Sequence, residues 1–157
     1  MHKLIASVLT NAVLIATPSH AGSRQQATIL LSPNPEDARA QQEWGYADAV
    51  VSGDTIYLSG VVVWLGEDGN IDAAFIRAFE QIGETLKRAG ASWDDVLEAT
   101  SYHTDLTTQL QALTRAKKQF IRPPVAAWTV IEVSRLIPNR GIAEIRVIAR
   151  KSSPISH

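Results

Sequence analysis

The chain has 157 residues, with 15 basic and 16 acidic side chains and a formal net charge of −1. That length supports one domain with a real core and is short for two. An apolar share of 45% and a charged share of 20% are ordinary for a soluble globular protein. The near-zero balance offers neither the basic surface that nucleic acid selects nor the acidic tract of a disordered tail, so no nucleic-acid partner is expected. Cysteine is absent, which excludes disulfides, thiol nucleophiles, thiolate metal sites and lipid-modified cysteine anchors.

Residues 1–21 stand apart from the fold. Lys3 gives a positive start, residues 4–16 are an almost uncharged apolar run, and Pro18-Ser19-His20-Ala21 ends in small residues. This is the pattern of a secretory signal cleaved after Ala21. The alternative, an N-terminal core helix, is the weaker reading because the run has no polar face. The run is shorter than the ~20 residues of a membrane-spanning helix. The reading is therefore a soluble periplasmic or secreted protein with no membrane association after cleavage. The remaining chain would carry 14 basic and 16 acidic side chains.

Residues 22–43 mix Ser32, Pro33, Asn34 and Pro35 with short apolar pieces and read as an N-terminal arm or linker. A short helix at 35–42 is compatible with Pro in a first turn. The ordered domain is expected over 44–151, with a tail at 152–157. It opens with a hairpin: 46–51, then Ser52-Gly53-Asp54, then a strand over 55–64. After a turn at Glu67-Asp68-Gly69-Asn70, residues 72–89 form the clearest helix. There Phe75, Ala78, Phe79, Ile82, Leu86 and Ala89 follow i, i+3, i+4 spacing, and Gly90 is a natural stop. Residues 96–104 alternate like a strand. A second helix follows, capped by Thr107 or Thr108, with Leu110, Leu113, Ala116 and Phe120 as its apolar stripe. Arg122-Pro123-Pro124 ends it.

The C-terminal third reads as two strands, 126–133 and 142–150, joined through Pro138, Asn139 and Gly141. Alternation puts Trp128, Val130 and Glu132 on one face of the first, and Thr129, Ile131 and Val133 on the other. In the second, Glu144, Arg146, Ile148 and Arg150 lie opposite Ile145, Val147 and Ala149. Two amphipathic helices cover one face of a small sheet. Strands apolar on both faces then need a second cover, which self-association supplies.

Three stretches together resemble the Rid (YjgF-like) family of imine/enamine deaminases. The first is Gly45-Tyr46 through Gly53-Asp54 to Tyr57-Leu58-Ser59-Gly60. The second is the helix ending at Gly90 with Asp94-Asp95-Val96. The third is Glu132-Val133-Ser134-Arg135-Leu136 running to Glu144-Ile145-Arg146-Val147-Ile148-Ala149. The resemblance implies an α/β (α+β) fold, a chorismate-mutase-like mixed sheet with two helices packed on one face. It also implies a homotrimer with small-molecule clefts between subunits, and hydrolysis of an enamine or imine to a carbonyl compound and ammonia.

Carried over residue by residue, Glu144 matches the family's catalytic glutamate, Tyr46 its cleft tyrosine, and Ser59 and Gly60 its hairpin element. The family's carboxylate-binding arginine falls on Trp128, with Thr129 beside it as a further cleft residue. The exchange removes a bidentate fork for a substrate carboxylate, a charge-assisted contact of about 1.5–3 kcal/mol. A non-catalytic small-molecule-binding or chaperone-like member is therefore the rival reading.

Other readings of the same residues stay open. Glu144 could pair with Arg146 or Arg135, Trp128 could be core, and Tyr46 could be core or cleft wall. Arg122 or Arg140 could reach in from a neighbouring subunit. No metal or cofactor is expected: His103 stands alone, no Gly-rich phosphate loop is present, and Ser59 and Ser134 lack triad companions.

Overall fold

Helical and strand periodicities dictate the layers, and the computed structural model describes them for residues 22–152. The expected signal at 1–21 and the tail from 153 to 157 lie outside the described residues. The elements run β1 (Thr28–Leu30), α1 (Pro35–Trp44), β2 (Ala49–Ser52), β3 (Thr55–Leu58), β4 (Val61–Trp64), α2 (Ile71–Arg88), β5 (Val96–His103), α3 (Leu106–Phe120), β6 (Ala127–Glu132) and β7 (Gly141–Arg150). The strands form one mixed sheet in the order β1-β2-β3-β7-β5-β6, with β4 also paired to β7. β5 and β6 are parallel, as the crossover through α3 demands, and the other pairs are antiparallel.

α2 and α3 cover one face of this sheet. Phe75, Phe79, Ile82 and Leu86 of α2 are fully buried against Ile56, Val63, Ile145 and Val147 of the strands. Each large apolar side chain so buried contributes about 1.5–3 kcal/mol. Asn70 caps α2 by accepting from Ala73 N at 3.0 Å. At the other end the amide of Gly90 (φ +82°) reaches Lys87 O, and that of Ala91 reaches Leu86 O. This paired closure needs a left-handed residue, which glycine adopts without a Cβ clash. A bidentate Arg115–Asp72 pair, with Nε at 2.7 Å and Nη2 at 3.0 Å, ties α3 to the start of α2.

Several expectations are corrected. The cap of α3 is Asp105, not Thr107 or Thr108. Its carboxylate accepts from the amides of Thr107 and Thr108 and from the Thr108 hydroxyl, satisfying more donors than a threonine could. Leu110 is 43% exposed and leaves the apolar stripe, while Ala112 is fully buried. The strand expected over 55–64 breaks at Ser59-Gly60 into β3 and β4. β6 and β7 are not neighbours: β5 lies between them. Residues 22–43, expected as an arm with a short helix at 35–42, also supply β1 to the sheet, and the helix is present as α1 over Pro35–Trp44.

Candidate functional site

β7 is the central strand, and its alternation is complete. Ala143, Ile145, Val147 and Ala149 are buried under the helices, while Ile142, Glu144, Arg146 and Ile148 face the other side and are half-buried. Glu144 stands in register between Val62 of β4 and Tyr102 of β5. Burial between these neighbours raises its pKa above the ordinary carboxylate value. Glu144 has no salt-bridge partner among the described residues: neither Arg146 nor Arg135 pairs with it.

The break at Ser59-Gly60 makes room for this carboxylate. Tyr57 pairs with Ile148 and Val61 with Ile145, so the register slips by one residue across the bend. Such a bulge bends the strand and re-aims what lies beside it. Ser59 fixes the bend by donating from Oγ to Ala47 O (2.6 Å) and from its amide to Asp48 O (2.9 Å). Gly60 has no side chain because Glu144 occupies the space: a Cβ there would lie 1.8 Å from Glu144 Oε1 and 2.6 Å from its Cγ.

β2 pairs with β1 and β3 and does not reach β4, which pairs with β7. The free edge of β4 opens into a cavity of about 1070 Å³. α1 forms one wall. It starts where Asn34 Oδ1 accepts from Glu36 N (2.9 Å), carries Pro35 in its first turn, and ends at Gly45. Its Gln41 is buried and donates from Nε2 to Asp48 Oδ1 at 2.6 Å. Arg88 of α2 binds the other Asp48 oxygen at 2.7 Å and donates to Leu31 O, tying α1 and the preceding segment to the sheet and to α2.

Of the residues singled out from sequence, Tyr46, Ser59, Gly60 and Glu144 all line this cavity. Tyr46, just past the end of α1, is 54% exposed, a wall residue and not a core one. Trp128 and Thr129 lie elsewhere in the chain, on β6 at the sheet edge. Trp128 stacks on Phe79 with ring centroids 6.0 Å apart, donates from Nε1 to Ser101 Oγ at 3.0 Å, and carries Lys117 Nζ 4.8 Å from its ring. Ser101 is fully buried under the helices, so the Trp128 indole lies on the helix side of the sheet and Glu144 on the opposite side. His103 is a core residue: fully buried, stacked on Phe75, with Nδ1 3.0 Å from Gln109 Oε1 and its pKa lowered by burial.

Sequence reasoning missed Val62 and Tyr102 beside Glu144, and Asp37, Gln41, Asp48, Glu84 and Arg88 around the cavity. Alternation in β5 offered Tyr102 as a face residue, but its pairing with Glu144 exists only once β5 is set against β7. The α1 residues carried a usable signal in Asn34-Pro35-Glu36-Asp37, a capped helix start.

The family model described as Endoribonuclease L-PSP matches residues 37–151. The chain belongs to this family, the Rid (YjgF) proteins. The RutC family protein YjgH of Escherichia coli (strain K12) is 37% identical over 114 residues, which is 69% of this chain and 84% of that protein. The 2-iminobutanoate/2-iminopropanoate deaminase of Capra hircus is 32% identical over 112 residues, 66% of this chain and 78% of that one. Among solved structures, YjgH superposes with a TM-score of 0.67 at 30% identity, covering 80% of this chain and 97% of that one. Rv2704 of Mycobacterium tuberculosis reaches 0.69 at 24% identity, covering 80% and 99%. The mixed sheet under helices is thus the Rid fold, with α1, the short helix expected at 35–42, beside the two helices that cover the sheet.

Proposed function

We propose that this Rid protein binds a small imine or enamine in the cavity beside Glu144 and hydrolyses it to a carbonyl compound and ammonia. The observation that carries the reading is the Glu144 carboxylate: half-buried, raised in pKa, free of a salt bridge and laid across Gly60 at the cavity wall. A carboxylate with a raised pKa is a better base than an exposed one and keeps its proton to a higher pH. Glu144 takes a proton from water as the oxygen attacks the imine carbon. Glu144 passes that proton to nitrogen, giving the neutral carbinolamine. It then takes the proton of the new hydroxyl and delivers it to the same nitrogen as the C–N bond breaks, so that ammonia leaves and the carbonyl forms. The name of the Capra hircus relative supports the same class of reaction.

The test is turnover of imines generated in situ, with Glu144→Gln as control. Wild type is expected to exceed buffer, and the variant to lose about 10²–10⁴-fold, the usual weight of a general acid–base. Wild-type turnover no faster than buffer refutes the activity.

The rival is a binding protein without chemistry, favoured by Trp128 at the arginine position and by its packing into the core on the far side of the sheet. It predicts ligand binding unaffected by Glu144→Gln and no turnover by either protein. Two further features belong to the same proposal. The uncovered sheet face, with Tyr57 46% exposed and Val50, Tyr102 and Ile148 half-buried, supports a homotrimer packed through it. A light-scattering mass of one chain at micromolar concentration counts against that. The pattern of residues 1–21 supports export to the periplasm or beyond, checked by a mature N-terminus at Gly22.

A further inference from the structure

Ligand class follows from what charges the cavity wall presents. Among its described lining residues, Asp37, Asp48, Glu84 and Glu144 are acidic and Arg88 is the basic one. Arg88 is already engaged, with Nη1 on Asp48 at 2.7 Å and Nη2 on the Leu31 carbonyl. That pair is neutral as a unit. Asp37 and Glu84 face the opening from α1 and α2, and neither has a cation partner among the described residues. The position from which the resemblance would have supplied a carboxylate-binding fork holds Trp128. Its indole is spent on Ser101 and Phe79 across the sheet from Glu144.

Among the described lining residues of one chain, an anionic ligand entering here meets uncompensated carboxylates and no free guanidinium. A neutral imine meets no penalty, and an ammonium or iminium is attracted, because a cleft of one sign concentrates ligands of the other. An RNA phosphodiester, the substrate class in the family model's name, is disfavoured for the same reason.

We infer that the cavity takes neutral or cationic imines that lack a carboxylate, of the kind formed by two-electron oxidation of a primary amine, in preference to anionic 2-imino acids. This rests on the reading that the cavity beside Glu144 is the ligand site. The step keeps its balance: aldimine plus water gives aldehyde plus ammonia, with no oxidant or reductant consumed. The reaction that supplies the substrate is therefore an amine oxidation upstream.

Two measurements separate this inference from the proposed activity. The first is calorimetric binding of benzylamine and benzoate, one ring with opposite charges, to wild type and to the Asp37→Asn/Glu84→Gln double variant. Benzylammonium should bind wild type about tenfold more tightly, since each exposed charge shifts affinity a few-fold, and the gap should shrink in the double variant and at high salt. Benzoate binding equally or more tightly overturns the inference, as does binding of neither probe. The second is turnover of benzaldimine, released by a flavin-dependent amine oxidase, against a 2-imino acid released by an amino acid oxidase. Faster turnover of the 2-imino acid overturns the inference. Turnover of neither, with the charge preference in binding intact, sinks the hydrolytic activity and leaves the ligand class standing.

Discussion

Gly60→Ala perturbs the candidate site through one methyl group. The added Cβ would fall 1.8 Å from Glu144 Oε1, 2.5 Å from Cδ and 2.6 Å from Cγ, where ordinary contact begins at 3.4 Å. The carboxylate oxygen must therefore retreat by about 1.6 Å, the difference between those two distances. The atoms in the way belong to a side chain that can rotate, and Gly60 is not among the residues with positive φ, so alanine fits its backbone. Loss of chain entropy in the unfolded state offsets part of the steric cost, and net stability should stay within about 1 kcal/mol of wild type. Activity should not. Displacing a catalytic group by about 1 Å costs on the order of 10²-fold. Steady-state imine hydrolysis by Gly60→Ala, Glu144→Ala and the double variant, each checked by thermal denaturation, resolves the matter. Because the methyl acts through Glu144, it should cost nothing further once Glu144 is truncated. Full activity in Gly60→Ala, or the same fold loss in both backgrounds, refutes the reasoning.

Glu144→Gln should also change the response to pH. Burial raises the folded-state pKa of Glu144 above its unfolded value, so ionisation destabilises the fold as pH rises through that interval. The glutamine variant should melt higher than wild type at neutral pH, with the advantage fading toward about pH 4, near the unfolded carboxylate pKa. The acidic limb of the wild-type pH–rate profile, set by the same group, should vanish in the variant. Asp105→Ala removes the acceptor of two amides at the start of α3 and should cost about 1 kcal/mol by urea denaturation. Trp128→Ala removes a half-buried indole stacked on Phe79 and should cost about 2 kcal/mol, somewhat below the value for a fully buried aromatic. Arg88→Ala cuts the tie to Asp48 and Leu31 and should speed amide exchange across α1 while leaving β5 and β7 protected.

What was legible in the sequence is what local periodicity controls. The two faces of β7 follow from strict alternation, and the observed burial repeats it residue by residue. α2 announces itself through Phe75, Phe79, Ile82 and Leu86, and through Gly90 at its end. The local candidates Tyr46, Ser59, Gly60 and Glu144 come from separate stretches that the sheet draws into one cavity wall. Non-local pairing was the part that could not be read. Nothing in residues 126–150 says that β5 inserts between β6 and β7, and that insertion, with the strand phase, puts the Trp128 indole across the sheet from Glu144. The bend at Ser59-Gly60 was likewise invisible, because Thr55 to Trp64 keeps the composition of one strand. The bend is needed because the Glu144 side chain approaches from another part of the chain. The wall built by α1 was underestimated since its buried residue, Gln41, is polar and holds its place through Asp48 and the Ser32 amide.

The central claim is that ligand binds beside Glu144, and a crystal structure of the protein with a bound carbonyl product or a stable imine analogue tests it most directly. The account predicts the reacting carbon of the ligand within about 4 Å of the Glu144 carboxylate, near-attack distance for a bridging water, against the Ser59-Gly60 bend. A ligand seated on β6 around Trp128 and Thr129, with the space beside Glu144 left empty, would contradict it.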